Sequence, residues 1–185
     1  MRAFIAIEIP EEIKAGITAI QDQLKASGAE ASWTRPEGIH LTLKFLGELP
    51  EARTSEIMSA LGDVVAGSGG FSLDVAGTGA FPNVRNPRVL WVGVKGDIGK
   101  LASLQSLVES AMTRIGFDPE ERRFSPHLTL ARIKYLKPRF SWQQAIDDVK
   151  NSALGGFSVR CISLMKSELK PSGAVYTEMG RVELK

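Results

Sequence analysis

A single cysteine, Cys161, is all that a chain of 185 residues offers, so no intrachain disulfide can staple the fold and no thiolate cluster can hold zinc or iron. A reducing, cytoplasmic setting is the expectation. Histidine is almost as scarce. There are two, and neither belongs to an Asp, Glu or Cys ligand motif; a catalytic zinc ordinarily takes three protein ligands, so neither a metal nor another cofactor is expected. Long apolar runs are missing too. Phe4-Ile5-Ala6-Ile7 stops at Glu8, which is too short for a signal peptide or a membrane span and reads as a folded strand. Nor is there a large excess of either charge. With a formal net charge of +2, a polyanion has to be held by a local patch, because the field of the whole molecule is weak.

What is present describes an ordinary globular chain, 43% hydrophobic and 24% charged, long enough to bury one core or two small packed lobes. A monomer is the default expectation. Strand-like Ala3–Ile9 is followed, after Pro10, by a helical pattern from Glu11 to about Lys25 with Ile13, Ile17, Ile20 and Leu24 on one face. Pro36 and Gly38 mark a loop, Ile39–Leu46 reads as a strand, Glu51–Val65 as a helix and Phe71–Val75 as a strand. The Gly-rich stretch Ala66–Gly70 lacks the Lys-Ser/Thr ending of a phosphate-binding P-loop and reads as a turn.

From Arg88 the order recurs: strand Val89–Val94, helix from Ile98 to about Ile115, strand His127–Ile133, a shorter helix near Trp142–Val149, strand Phe157–Leu164 and a closing strand Ala174–Val182. The two His-containing strands are offset by 87 residues, and their neighbours repeat at nearly that spacing. The expected fold is therefore α+β: a duplicated β-α-β-α-β unit, approximately 1–87 and 88–185, forming two pseudo-twofold lobes of antiparallel sheet. The helices lie outside and a cleft lies between the lobes. The turn formers of Asn83–Pro87 mark the boundary.

Each copy carries the same tetrapeptide, His40-Leu41-Thr42-Leu43 and His127-Leu128-Thr129-Leu130. On a strand, residues i and i+2 share a face, so each His and Thr point one way while the leucines point into the core. A lone histidine of this kind is usually a satisfied polar residue on a half-exposed strand. Two identical copies facing one cleft bring two imidazoles and two hydroxyls to a phosphate-sized site. Imidazole titrates near 6.5, so an acid and a base can coexist at neutral pH. Phosphodiester hydrolysis needs that pair, on opposite sides of the phosphorus, and the threonine hydroxyls can meet the charge that builds on the non-bridging oxygens.

With these motifs the sequence resembles the two-histidine (2H) phosphoesterase superfamily, marked by paired His-x-Thr-x motifs in two symmetric lobes. It is most similar to the RNA 2′,3′-cyclic phosphodiesterase branch, historically called 2′-5′ RNA ligase. The likeness extends to Met1–Ala6, Trp33, His40–Gly47, Gly79–Pro82, Arg88–Gly93, Phe124–Arg132 and Ser167–Leu169. The resemblance implies an RNA or oligonucleotide substrate with a 2′,3′-cyclic phosphate end, opened to a 2′-phosphate. It also implies His40 as proton donor to the departing 3′ oxygen and His127 as the base that activates water. The residues alone leave those two roles interchangeable.

Other residues carry two readings each. Arg132, five residues after His127, falls on the wrong face of a regular strand; it reaches the phosphate if a bulge or the strand end turns it, and is otherwise a solvated cation. Phe45, placed likewise after His40, either stacks on a base or packs in the core. Arg35 and Lys44 are phosphate contacts or surface cations; Trp33, Trp91 and Phe4 read as core. Ser125-Pro126 reads as the fixed entry to the second His strand. Two functional alternatives stand beside hydrolysis: ligation or cleavage of 2′-5′ linked RNA at the same site, and recognition of an RNA end without turnover.

Overall fold

Apolar residues at helical spacing build four α-helices in the computed structural model, which describes residues 1–171 and 173–185. Helix α1 (Glu11–Ala26) follows Pro10 and buries Ile13, Ile17, Ile20 and Leu24 as its periodicity requires, with Gln21 on the same face. Helix α2 spans Thr54–Val65, because Glu51–Arg53 forms a separate 3-10 turn ahead of it. Helix α3 is Ile98–Arg114 and α4 is Trp142–Val149, whose N-terminus is capped by Ser141 accepting a hydrogen bond from the Gln144 N–H. The Gly-rich stretch after α2 is a turn.

Nine strands among the described residues complete the fold: β1 Arg2–Glu8, β2 Ser32–Trp33, β3 His40–Glu48, β4 Phe71–Phe81, β5 Val89–Gly96, β6 His127–Arg132, β7 Ala153–Val159, β8 Cys161–Lys170 and β9 Gly173–Glu183. Three differences from the sequence reading stand out. Strand β4 runs on to Phe81 instead of ending at Val75, because a register shift between Val75 and Thr78 absorbs Gly77, whose φ of 76° breaks the period-2 pattern. The expected strand Phe157–Leu164 is two strands in different sheets, divided at Arg160. The edge strand β2 is too short to leave a pattern.

All strand pairings are antiparallel, in one sheet of order β3-β1-β8-β9 and one of order β2-β6-β5-β4-β7. Setting β2 aside, the two orders match one for one: β3, β1, β8 and β9 occupy the places of β6, β5, β4 and β7. The sheets are thus not the halves of the sequence. Strand β4 of the first half lies beside β5 of the second, and β8 of the second lies beside β1 of the first. The helices are exchanged as well: α2 and α3 pack together against β9 and β3, while α1 and α4 pack together against β7 and β4.

Between sheets and helices lies one core, in which Ile5, Leu41, Leu73, Leu90, Leu128 and Leu164 are no more than 1% exposed. Burying Leu41 and Leu128 stabilises the fold by about 2 kcal/mol each. That burial also turns their neighbours His40, Thr42, His127 and Thr129 to the opposite faces of the two sheets. No helix among the described residues is long and apolar enough to cross a membrane.

Candidate active site

The two His strands share an irregularity that strict alternation hides. Along β3, half-buried His40 and Thr42 alternate with buried Leu41 and Leu43; Lys44 is then buried as well, and Phe45 emerges 63% exposed. The register explains this. Ala6 lies opposite Thr42 and Ile5 opposite Lys44, so Leu43 is an extra residue with no partner. Strand β6 repeats it: Trp91 lies opposite Thr129 and Leu90 opposite Ala131, leaving Leu130 extra. Each β-bulge advances the strand by one residue, turning Lys44 and Ala131 inward and Phe45 and Arg132 outward.

Phe45 and Arg132 therefore join the face that carries the histidines and threonines. A cavity of about 320 Å³ is lined by His40, Thr42, Phe45, Thr129 and Arg132, with Thr34 and Tyr176 at its walls. A second, of about 480 Å³, is lined by His127, Thr42, Phe45 and Arg132 together with Arg122 and Arg123. Thr42, Phe45 and Arg132 border both, so the two cavities are continuous parts of one cleft between the sheets. All six sequence candidates, His40, His127, Thr42, Thr129, Arg132 and Phe45, meet there.

The histidines sit in similar aromatic settings and different polar ones. The His40 ring meets Phe4 edge-on at 5.6 Å and Tyr176 at 5.3 Å; the His127 ring meets Phe81 edge-on at 5.0 Å, and Phe81 leans on Trp91 at 5.4 Å. The two settings are built from different places in the repeat: Phe4 lies opposite Phe45, whereas Trp91 lies opposite Thr129, the place that Ala6 takes opposite Thr42. His127 Nδ1 lies 2.7 Å from the Ser125 carbonyl oxygen. That carbonyl can only accept, so Nδ1 carries the proton and Nε2 faces the cleft. The Ser125-Pro126 entry thus holds the ring by a backbone atom.

The counterpart of Ser125 at His40 is the Gly38 backbone, also two residues upstream; that contact is looser, and the buried Nδ1 has no acceptor in full hydrogen-bond geometry. Burial, reinforced by the positive charge of Lys14 and only partly opposed by the Gly38 backbone, lowers its pKa from 6.5 to about 4. At neutral pH the His40 ring is uncharged. The expectation of two imidazoles poised near their ordinary value does not hold for His40.

The remaining candidates divide. Lys44 is no phosphate contact: its side chain is 2% exposed, and Nζ donates to Glu109 Oε1 at 2.6 Å and to the Asp118 carbonyl at 2.9 Å. The bulge at Leu43 is the reason, since it carries Lys44 to the helix side of the sheet. Arg35 lies against Gly173 in the β8–β9 hairpin. Trp33 packs against the core under Lys25, whose Nζ is 5.4 Å from the ring centre. Phe4 is buried, as expected of core, yet it packs with Ala6, Met165 and Tyr176 in a small cluster on the cleft side, against His40. Sequence reasoning missed Tyr176, Phe81 and Thr34. Only Phe81 left a signal, inside Gly79–Pro82; Tyr176 sits in a closing strand without a motif. Among the described residues, no three His, Cys, Asp or Glu side chains gather as metal ligands.

Two exchanged, pseudo-symmetric sheets with an HxTx strand facing the cleft from each define the class: a phosphoesterase of the two-histidine type. The LigT-like phosphoesterase family model matches the chain twice in tandem, over residues 7–91 and 92–176. The chain belongs to the LigT-like phosphoesterase family. It is 35% identical over 179 residues to the RNA 2′,3′-cyclic phosphodiesterase of Methanothermobacter thermautotrophicus, covering 97% of this chain and 96% of that protein. A crystal structure of a Thermus thermophilus protein superposes with a TM-score of 0.83 at 30% identity, covering 100% of this chain and 98% of the other. E. coli LigT in complex with 3′-AMP superposes with a TM-score of 0.74 at 26% identity, covering 99% and 97%.

Proposed function

We propose that this protein hydrolyses 2′,3′-cyclic phosphates at RNA ends to 2′-phosphomonoesters, with His40 and His127 as its acid and base and no metal ion in the reaction. One observation carries the reading: two HxTx strands with matching bulges present both imidazoles, both threonines and Arg132 to one cleft. The relatives that act on RNA 2′,3′-cyclic phosphates, and a LigT that takes up 3′-AMP, support the substrate class.

His127 Nε2 removes a proton from water as its oxygen attacks phosphorus in line with the 3′ oxygen. The P–O3′ bond breaks, and His40 gives its proton to the departing 3′ oxygen. The threonine hydroxyls and the Arg132 guanidinium stabilise charge on the non-bridging oxygens. Because burial favours the neutral His40 ring, its proton arrives with the substrate: an anionic phosphate against the ring favours the imidazolium and offsets the desolvation. The same lowered pKa favours a second reading, in which His40 is the base, His127 the acid, and the product a 3′-phosphate.

Turnover of a nucleoside 2′,3′-cyclic phosphate in excess EDTA tests the reading. Sustained hydrolysis by the unaltered protein, lost in His40→Ala and in His127→Ala, is expected. Dependence on a metal, or either variant keeping a near-normal rate, overturns it.

A further inference from the structure

The two bulges that turn Phe45 and Arg132 toward the cleft are each met by a glutamine from a helix of the other repeat. Leu130, the extra residue of β6, offers its carbonyl to Gln21 Nε2 of α1 at 2.9 Å, and the same Nε2 donates to the Thr34 carbonyl at 2.8 Å. The Thr34 N–H completes the bridge with a 2.9 Å bond to the Leu130 carbonyl. Leu43, the extra residue of β3, accepts a longer bond of 3.4 Å from Gln105 Nε2 of α3.

Gln21 is 3% exposed and sits on an otherwise apolar helix face among Ile13, Ile17, Ile20 and Leu24. A leucine or methionine would fill that volume without desolvating an amide, so packing alone does not account for a glutamine there. Its geometry does. Both acceptors are carbonyls, so the amide nitrogen faces them and spends its two hydrogens on them. One carbonyl belongs to the bulge immediately before Ala131 and Arg132; the other belongs to Thr34, which lines the cavity beside His40 and Arg132. Regular antiparallel pairing leaves no ladder partner for a bulged residue, and an unheld bulge can slip. A slip of one residue would point Arg132 away from the cleft.

We propose that Gln21 is a positioning residue for phosphate binding: by bridging the Leu130 and Thr34 carbonyls it fixes the β6 bulge that aims Arg132 into the cleft, and Gln105 does the same, more weakly, for Phe45. This rests on the cleft being a phosphate site, and it adds residues that never touch the substrate. The effect acts through Arg132, so it shows as coupling and not merely as lost stability.

The test is a double-mutant cycle of Gln21→Met and Arg132→Ala, read in KM and kcat for a nucleoside 2′,3′-cyclic phosphate and in the Kd of inorganic phosphate, which needs no turnover. Gln21→Met alone is expected to raise KM and Kd about tenfold with kcat within about twofold, and in the Arg132→Ala background to change them less than about twofold. Equal factors in both backgrounds, or a fall in kcat with KM unchanged, would make Gln21 a structural residue and overturn the proposal. Should Gln21→Met fail to fold, the cycle of half-buried Gln105→Met with Phe45→Ala decides: a KM rise of about threefold that disappears without Phe45 supports the proposal, and additive effects or no effect overturn it. No turnover by the unaltered protein, with the phosphate cycle still coupled, would defeat the enzymatic reading and leave this one standing.

Discussion

Phe45 and Arg132 occupy equivalent places, five residues past His40 and His127, and both reach the cleft because one leucine, Leu43 or Leu130, is left out of the strand pairing. The repeat has duplicated a defect together with the motif. Its two products differ in kind: an exposed aromatic ring on one strand and a guanidinium on the other. The cleft is therefore symmetric in its histidines and threonines and asymmetric in what surrounds them.

Arg132 lines both parts of the cleft, three residues beyond Thr129 on the same strand. If Arg132 meets the phosphate as proposed, replacing it with alanine removes a charge-assisted contact, an effect of about 1.5–3 kcal/mol. Steady-state kinetics of Arg132→Ala are expected to show kcat/KM lower by about 10- to 100-fold, with Arg132→Lys intermediate because it keeps the charge and loses the fork.

His40 gives stability a pH dependence whose sign is fixed. Its pKa in the fold is about 4, against 6.5 for a free imidazole. Between those values the unfolded chain holds a proton at this position that the native protein refuses, so stability falls as pH is lowered through the window from 6.5 to 4. The full contribution is about 3 kcal/mol. Urea titrations across that range should show a steeper loss for the unaltered protein than for His40→Asn, and identical slopes would contradict the buried neutral ring.

The same lowered value makes ligand binding proton-linked. If His40 becomes the acid only when phosphate arrives, binding of inorganic phosphate near neutral pH takes up close to one proton. Calorimetry in buffers of different ionisation enthalpy measures that number, and His40→Asn should abolish it. Binding without proton uptake would favour His40 as the base.

Lys44 and Glu109 make a test of structure apart from chemistry. Removing one partner leaves the other as an uncompensated, largely buried charge, so Lys44→Met is expected to lower stability by about 3 kcal/mol. Thermal denaturation should show the loss, while kcat per folded molecule stays within about threefold.

The duplicated plan and the paired motifs were legible because they rest on strong local signals: apolar spacing on α1 and α2, an 87-residue offset and two identical tetrapeptides. The exchange of strands between sheets was not, since nothing in the sequence of β4 or β8 names the strand it pairs with. The bulges were hidden for a related reason. Leu43-Lys44 and Leu130-Ala131 carry no mark of the skipped pairing, which depends on β1 and β5; hence Arg132 and Phe45 each kept two readings, and the two readings of Lys44, phosphate contact or surface cation, both left out its burial on the helix side. The asymmetry of the histidines was beyond the sequence altogether, because it comes from Phe4 and Tyr176 burying one ring near the positive charge of Lys14, while the Ser125 carbonyl holds the other more closely than the Gly38 backbone holds the first.

The most direct measurement is the identity of the phosphomonoester formed, in excess EDTA, from a short RNA ending in a 2′,3′-cyclic phosphate, followed by phosphorus NMR. A 2′-phosphate is the expected product, with His40 protonating the departing 3′ oxygen and His127 activating water. A 3′-phosphate would contradict that assignment of the two histidines, and an unopened ring would contradict the function itself.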